Sequence, residues 1–262
     1  MKKISSKQWE KFDRDGYLLL GRVCSSKEIA QLGNRINDIM LGKADVDYER
    51  MMMQLDCSDG PGSKPGPQSF GFKGATLAYR KIQDLENDPI FLRYMQESLF
   101  QDICAKVYGV KTNIACFRAM FMNKPASEGT NLVWHQDRWT NLDRDPKITI
   151  WTAIDNCNIA NGCVQIIPGS HRILINSEST SGFLTPEQTN DILKKNIPIP
   201  LELNAGEVIL LHNWLLHSSD VNRTNDPRRA FSVCYMDANT RSNSGQEYPI
   251  VFGDGALGFN SD

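Results

Sequence analysis

The feature that most restricts how this chain can fold is a pair of histidine-containing segments about eighty residues apart. The first segment is Trp134-His135-Gln136-Asp137, and the second runs from His212 to His217. Side chains at positions i and i+2 of a β-strand point to the same side, so His135 and Asp137 can reach one ion together. A fold that places one of the later histidines beside them completes two imidazoles and one carboxylate. This facial triad binds Fe(II) and leaves positions open for other ligands.

The composition sets outer limits on the class of protein. With 262 residues, of which 40% are hydrophobic, the chain can bury a sizeable core, and one domain spanning residues 1–262 is the simplest prediction. The net charge is -2 and the basic residues are scattered, which excludes a nucleic-acid surface and favours a small-molecule substrate. No stretch of eighteen uncharged apolar residues predicts a membrane span. We therefore expect a cytoplasmic monomer or homodimer.

The seven cysteines are odd in number and show no C-x-x-C spacing. This pattern predicts free thiols in a reducing compartment and argues against a zinc-finger site.

Residues 1–112 are predicted to be mostly helical. Ser5 or Ser6 can begin a first helix that ends at Gly16, and Ser25 with Glu28 forms a capping box for a second. A third helical region is expected from Asp88-Pro89 to Gly109, with Ser98 and Gln101 as a further capping box. Between the second and third regions, residues 56–77 are rich in glycine and proline and predict a loop that could cover a substrate.

From residue 113 the pattern changes to short strands separated by turn residues, which is typical of an antiparallel sandwich or barrel. Asn161-Gly162 predicts a hairpin, and Pro168-Gly169-Ser170 predicts a tight turn. Strands of this number that close on each other form a jelly roll in residues 113–240, followed by a C-terminal tail in residues 241–262. The predicted strands are 113–122, 132–137, 147–154, 163–167, 199–203, 207–212 and 229–236.

Several motifs occur together in a characteristic order. They are Lys81-Ile82-Gln83-Asp84, Asn123-Lys124-Pro125, Trp134-His135-Gln136-Asp137, Trp151-Thr152-Ala153-Ile154, Asn161-Gly162-Cys163, Pro168-Gly169-Ser170-His171, Ala205-Gly206-Glu207, and Leu216-His217-Ser218-Ser219 through Arg228. In this combination the chain resembles the phytanoyl-CoA dioxygenase family over roughly residues 16–235. The resemblance implies a mainly β fold with flanking helices (α+β), whose core is a double-stranded β-helix, a cupin-like jelly roll behind N-terminal helices. It also implies an oxygenase that uses Fe(II), 2-oxoglutarate and O₂.

The resemblance assigns the iron ligands to His135, Asp137 and His217. His212 is the rival for the third position, but the family places the ligand before Ser-x-x-x-Asn, which Ser218 and Asn222 match. His171 follows the Pro-Gly-Ser turn and is interpreted as a loop histidine. The intact carboxylate of Asp137 favours hydroxylation over halogenation and leaves desaturation, epoxidation and ring formation open. The reaction is expected to release succinate and CO₂, and the expected substrate is a secondary metabolite.

The resemblance also assigns the residues around 2-oxoglutarate. Arg228 is expected to bind its distal carboxylate, because an unpaired buried charge is costly and arginine binds carboxylates bidentately. Arg229, next along a strand, should point the opposite way, and a shift of one residue would exchange the two roles. The family's remaining contacts to the co-substrate are expected from Lys81, Met120 and Trp151, with Ser219 close to the iron ligand.

Substrate contacts and two rival functions stay open. Arg138 could pair with an anionic substrate group or with Asp143 or Asp145, and the four residues Trp139, Gln165, Asn213 and Trp214 could line a pocket or be structural. A cupin-like metal protein with an isomerase or binding role would use the same three ligands without needing Arg228. A pure interaction module would need neither metal nor co-substrate for its stability.

Overall fold

A computed structural model describes residues 3–57, 64–127 and 129–258. Within these ranges the chain forms five α-helices and thirteen β-strands. The helices are α1 (Ser6–Asp15), α2 (Ser26–Met40), α3 (Pro89–Met95), α4 (Ser98–Tyr108) and α5 (Pro186–Lys195). The strands are β1 (Tyr17–Arg22), β2 (Met52–Leu55), β3 (Ser69–Phe70), β4 (Tyr79–Ile82), β5 (Ile114–Lys124), β6 (Leu132–His135), β7 (Ile148–Ala153), β8 (Val164–Ile166), β9 (Ile199–Pro200), β10 (Glu207–His212), β11 (His217–Ser219), β12 (Arg228–Asp237) and β13 (Ile250–Phe252).

The strands form two antiparallel sheets. The larger has the order β1-β10-β7-β12-β5-β4-β2-β3, with β13 also paired to β5, and the smaller has the order β6-β11-β8-β9. From β5 to β12 the strands alternate between the two sheets, except that β8 and β9 both lie in the smaller one, and this alternation is the pattern of a double-stranded β-helix. The predicted fold class, a jelly roll with N-terminal helices, is confirmed.

Alternation along the strands of the large sheet separates a packed face from a cavity face. Ile150 and Val233 belong to the main hydrophobic cluster, which also contains the buried faces of α2, α3 and α4. Their neighbours Trp151 and Ser232 face the other way and line a cavity between the sheets. The helices thus cover one side of the large sheet and leave the other side for the site.

The first two helices form as their sequences predict. Ser5 and Ser25 each close a capping box, and Gly16 ends α1 with φ of 80°, a conformation that favours glycine. In α2 the apolar residues at helical spacing, among them Leu32 and Ile36, are buried against the main core. This packing fixes the N-terminal region against the large sheet.

Two local predictions are wrong. The third helical region is interrupted between α3 and α4, where the N-cap is Glu97 without a side-chain hydrogen bond, so the Ser98–Gln101 capping box does not form. Asn161-Gly162 does not close a hairpin, because it connects β7 to β8 and these strands lie in different sheets. The Asn161 side chain instead accepts from the backbone N–H of Asn158 and donates to the carbonyl of Asn156, which shapes a longer turn.

The first third is also less purely helical than predicted. It contributes β1 to β4 to the large sheet, and residues 250–252 of the expected tail add β13. Helix α5 was not predicted, although Thr185 and Gln188 form a capping box at its start. Residues 58–63 of the predicted lid lie outside the described ranges, and the rest of that loop contains β3.

The described residues include all seven cysteines; none of them forms a disulfide, and six are buried. Among the helices in the described ranges, none combines the length and apolarity that crossing a membrane requires.

Candidate metal centre and cavity

Two histidines meet where β6 pairs with β11 in the small sheet. His135 ends β6 and lies directly opposite His217, the first residue of β11. Directly opposed side chains on antiparallel strands lie on the same face, and here the two ring centroids are 4.1 Å apart. Strand pairing therefore closes the sequence separation between the two histidine segments.

Asp137 completes the group from just beyond the end of β6. Its backbone N–H donates to the carbonyl of Asn213 at 2.7 Å. Asn213 is buried, accepts from the Thr149 hydroxyl at 2.7 Å and donates to the carbonyl of Pro146 at 2.8 Å. These bonds hold Asp137 so that one ligand atom each from His135, Asp137 and His217 lies within 4.8 Å of the others.

Both histidine rings are oriented by a backbone carbonyl two residues earlier. The Nδ1 atom of His135 lies 2.9 Å from the carbonyl oxygen of Val133, and that of His217 lies 2.8 Å from the carbonyl oxygen of Leu215. Since a carbonyl oxygen can only accept, each Nδ1 carries the proton and donates it. Each Nε2 then keeps a free lone pair, as a metal-binding imidazole requires.

The site keeps His135 uncharged. Burial, followed by the neighbouring His217, lowers the pKa of His135 to about 3. A neutral imidazole forms no ion pair, so the 3.8 Å approach of its Nε2 to Asp137 is a geometric contact between two groups ready for a common cation.

Gln136 faces away from the site and ties β6 to the loops around it. Its side-chain amide donates to the carbonyls of Ile173 and Trp214, at 2.9 and 2.6 Å, and its Oε1 accepts from the backbone N–H of Ile175 at 2.7 Å. The residue is fully buried. Such a satisfied amide fixes the backbone between His135 and Asp137.

The segment before α5 covers one side of His135. Gln136 donates its backbone N–H to the carbonyl of Gly182, and Leu184 donates to that of Trp134. This pairing stacks the Phe183 ring on the His135 imidazole, with centroids 4.8 Å apart and an interplanar angle of 24°. Phe183 thereby shields this histidine from solvent.

The three candidate ligands open into a cavity of about 440 Å³ between the two sheets. Arg228 enters it from the start of β12, is 3% exposed and lies over the Trp151 ring at 5.6 Å. Its Nε and Nη1 atoms are buried without a hydrogen-bond partner among the described residues. Burial lowers the pKa of Arg228, which expresses the cost of this unpaired charge.

Arg229 points to the opposite face, as expected for its neighbour on a strand. It forms two hydrogen bonds to the carboxylate of Asp155, at 2.7 and 2.8 Å, and a third to Asn37. The register therefore leaves Arg228, and not Arg229, in the cavity.

The other residues predicted around the co-substrate also line this cavity. They are Lys81, Met120, Trp151 and Ser219. Burial, together with Arg118 and Arg80, lowers the pKa of Lys81 to about 8. Met120, Trp151 and Ser232 form one row across β5, β7 and β12, which gives the cavity a partly apolar floor.

His212 and His171 lie together outside the group of candidate ligands. Their ring centroids are 5.0 Å apart, and the Nδ1 atom of His212 accepts from the backbone N–H of Trp214. Burial, His171 and Lys147 lower the pKa of His212 to about 4. His212 therefore acts as a structural acceptor at the edge of the site.

The further candidates divide between cavity and scaffold. Arg138 and Trp139 line the cavity, whereas Trp214 donates to Asp145 and Asn213 holds Asp137. Gln165 pairs with Ser218 in the small sheet. It is not one of the described residues that line the cavity. Arg138 pairs with neither Asp143 nor Asp145 and donates to the carbonyl of Ser177.

Sequence reasoning missed Arg118 and Phe183. Arg118 lines the cavity two residues before Met120 on β5, so alternation along the predicted strand could have found it. Phe183 gave no usable signal, because its position depends on a loop pairing with β6.

Comparison with known families decides where this site belongs. Residues 12–230 match the family model of phytanoyl-CoA dioxygenase. The chain belongs to the phytanoyl-CoA dioxygenase family. It is therefore a non-haem iron oxygenase dependent on 2-oxoglutarate, and the predicted family and the cofactors Fe(II) and 2-oxoglutarate are confirmed.

Individual relatives are distant but extend over most of the chain. A probable phytanoyl-CoA dioxygenase of Caenorhabditis elegans is 27% identical over 254 residues, covering 89% of this chain and 76% of the relative. Among solved structures, EctD from S. alaskensis with 2-oxoglutarate and 5-hydroxyectoine aligns with a TM-score of 0.72 and 23% identity, covering 91% of this chain and 78% of EctD. The α-ketoglutarate-dependent carbocyclase SnoK from nogalamycin biosynthesis aligns with a TM-score of 0.67 and 16% identity, covering 93% of this chain and 88% of SnoK. At these identities the structures show a shared fold.

Proposed function

We propose that this oxygenase hydroxylates a small molecule of secondary metabolism and converts 2-oxoglutarate and O₂ to succinate and CO₂. His135, Asp137 and His217 hold the iron, and Arg228 binds the distal carboxylate of 2-oxoglutarate. The observation that carries the proposal is the buried guanidinium of Arg228, which lies in the same cavity as the three ligands and whose Nε and Nη1 atoms have no hydrogen-bond partner among the described residues. A buried charge of this kind needs an anionic partner.

The donor set supports Fe(II) as the metal. Two imidazole Nε2 atoms and one carboxylate, brought together on one side of an open cavity, are the ligands of the facial triad. His135 needs no proton removed before it binds, since its pKa is already about 3. Iron and 2-oxoglutarate bound here would supply the oxidant that attacks an unactivated C–H bond.

The protein's own residues supply binding, orientation and exclusion of water. Arg228 fixes one end of 2-oxoglutarate, while Trp151 packs beneath that guanidinium and Met120 extends the floor. Lys81 and Ser219 offer further hydrogen-bond donors at the cavity wall. Phe183 covers His135 from the loop side. The substrate must enter the remaining space near Asp137, where Arg138 and Trp139 lie.

Hydroxylation is proposed because the carboxylate ligand is present. A halogenating site needs room for a halide at this position, and Asp137 fills it. The fold is shared with a carbocyclase, so the outcome of oxidation depends on how the substrate is placed rather than on the architecture.

Turnover of 2-oxoglutarate tests this function without knowledge of the substrate. Purified protein is supplied with Fe(II), ascorbate and 2-oxoglutarate in air, and succinate is quantified with and without a library of small metabolites. We expect slow Fe(II)-dependent succinate formation that a true substrate accelerates and that Arg228→Gln abolishes. A metabolite that is isomerised with no consumption of 2-oxoglutarate would support the cupin-like alternative instead.

A further inference from the structure

The cavity carries many more cationic than anionic side chains. Its lining cations are Arg80, Lys81, Arg118, Arg138 and Arg228, whereas Asp137 is the one carboxylate among its described lining residues. Like charges gathered in a partly enclosed space repel one another unless an anion enters. Fe(II) and 2-oxoglutarate, which the proposed function places in this cavity, determine how much of the excess positive charge remains.

Iron and 2-oxoglutarate neutralise only part of the excess positive charge in the cavity. The two positive charges of Fe(II) and the one of Arg228 balance the two negative charges of 2-oxoglutarate and the one of Asp137. Arg80 is paired separately, because it lies 3.8 Å from the carboxylate of Asp56 and donates to the Thr130 hydroxyl. Arg118, Arg138 and Lys81 then remain without a balancing anion.

Arg118 is the best placed of these three cations. Its guanidinium carbon lies 4.8 Å from the ring centroid of Phe117 and 5.3 Å from that of Trp139. These aromatic faces orient the group, and no described carboxylate lies within ion-pair distance of it. Arg138 is engaged with the carbonyl of Ser177, and Lys81 is one of the residues that the proposed function places around the co-substrate. Arg118 is thus an oriented cation whose N–H groups donate no hydrogen bond to the residues that the structure describes.

The position of Arg118 separates it from the co-substrate. On β5 it is paired with Cys234, six residues along β12 from Arg228. At about 3.3 Å per residue the Cα atoms at the two ends of this row are roughly 20 Å apart. The proposed function places one carboxylate of 2-oxoglutarate on Arg228 and its other end on the metal, so neither carboxylate is left for Arg118. The two arginines therefore serve different molecules.

We propose that Arg118 binds an anionic group of the substrate, a carboxylate or a phosphate, and so selects small organic acids for oxidation. This inference rests on the proposed function, since it takes iron and 2-oxoglutarate to occupy the other half of the cavity. The planar guanidinium can donate two parallel hydrogen bonds to either group, which orients the bound anion as well as attracting it.

The test is calorimetric titration of the anaerobic complex of protein, Fe(II) and saturating 2-oxoglutarate with three probes of equal chain length. These are hexanoate, hexyl phosphate and the neutral hexanamide. At least one anion should bind with an affinity about tenfold or more above that of hexanamide, and the stronger of the two identifies the group. Arg118→Gln should reduce the affinity for that anion to the affinity for hexanamide. Arg118→Lys should retain part of the preference for the anion. Arg144→Gln, which removes an exposed arginine outside the cavity, is the matched control.

Two other outcomes would overturn the inference. One is equal or absent binding of all three probes by the wild type, and the other is an anion preference that survives in Arg118→Gln. The visible charge-transfer band of the Fe(II)–2-oxoglutarate complex is recorded before each titration. A missing band would refute the proposed function and the inference with it, whereas a band without anion preference would refute the inference alone.

Discussion

Arg228 and Arg229 are neighbours on β12, yet their guanidinium groups lie on opposite sides of the large sheet. Arg228 is buried over Trp151, and two of its nitrogen atoms have no partner in the described part of the chain, while Arg229 is paired with Asp155 through two hydrogen bonds. Arg228 is therefore available to an anionic ligand, whereas Arg229 is already paired with a carboxylate of the protein. This difference makes the two residues a matched pair for experiment.

Substitution of each arginine by glutamine should therefore have opposite effects. Arg228→Gln should weaken 2-oxoglutarate binding by about 2 kcal/mol or more, roughly thirtyfold in Kd, while leaving the unliganded protein as stable as before or more so, since an unpaired buried charge is removed. Arg229→Gln should leave 2-oxoglutarate binding unchanged but lower the free energy of unfolding by about 1–3 kcal/mol, because Asp155 loses its partner. Calorimetry and denaturant unfolding measure both effects. Similar behaviour of the two variants would contradict the assignment.

Gln136 should be a stability determinant of the metal centre. Its side-chain amide donates to three backbone carbonyls and accepts from one backbone N–H. These groups belong to segments that lie far apart from Gln136 in sequence. Gln136→Ala leaves these buried groups unsatisfied and should cost about 3 kcal/mol or more in the free energy of unfolding. Gln101→Ala, at an exposed position of α4, is the control and should change stability by less than about 0.5 kcal/mol. Equal effects of both substitutions would show that the Gln136 contacts contribute nothing.

The loop pairing at Gly182 should support metal binding. A Cβ atom there would overlap the carbonyl oxygen of Gln136, between two candidate ligands, and the residue has φ of +71°. Gly21 has the same φ and no neighbour within 4 Å, so Gly21→Ala carries the backbone strain without the overlap. We expect Gly182→Ala to weaken Fe(II) binding at least tenfold, and Gly21→Ala to cost about 1 kcal/mol in stability with unchanged Fe(II) affinity. Fluorescence-monitored metal titration distinguishes them, and an unaffected Gly182→Ala would disprove the role of this pairing.

Glu86 should give the protein a measurable dependence of stability on pH. Burial raises the pKa of Glu86 to about 7 from the ordinary value of 4.5, and its Oε2 atom has no partner among the described residues. The folded state thus holds a proton that the unfolded chain releases first. This contribution to stability is fully present below pH 4.5 and is lost as the pH rises through about 7, by at most about 3 kcal/mol.

Denaturant unfolding of wild type and Glu86→Gln at pH 5 and pH 8 tests this sign. The variant cannot ionise, so its advantage over the wild type should be larger at pH 8 than at pH 5. A difference that is constant between the two pH values, or larger at pH 5, would show that Glu86 is not kept protonated by burial.

The sequence predicted the parts of the site that depend on local periodicity. Strand alternation separated Arg228 from Arg229, and it would have placed Arg118 beside Met120 had it been applied to β5. The H-x-D argument was only partly right in its geometry, because β6 ends at His135. Asp137 is held at the site by a hydrogen bond from its backbone N–H to the carbonyl of Asn213. The two residues are far apart in sequence, so no local pattern indicates this contact.

Long-range contacts account for what was missed. The hydrogen bonds of Gln136 and the stacking of Phe183 on His135 join segments 34 or more residues apart, and only the folded sheets bring these segments together. The hairpin predicted at Asn161-Gly162 failed for the same reason, since the partner of each flanking strand is chosen by the sheets and not by the turn. Helix α5, by contrast, carried a readable capping box at Thr185.

We propose that His135, Asp137 and His217 hold iron together with 2-oxoglutarate. Anaerobic titration of the purified protein with Fe(II) and 2-oxoglutarate, followed by the weak visible metal-to-ligand charge-transfer band, tests it most directly. The band should form in the wild type and in His212→Ala and be absent in His217→Ala, with all three proteins folded by circular dichroism. A wild type that binds the metal without developing the band, or a band that persists in His217→Ala, would contradict the account.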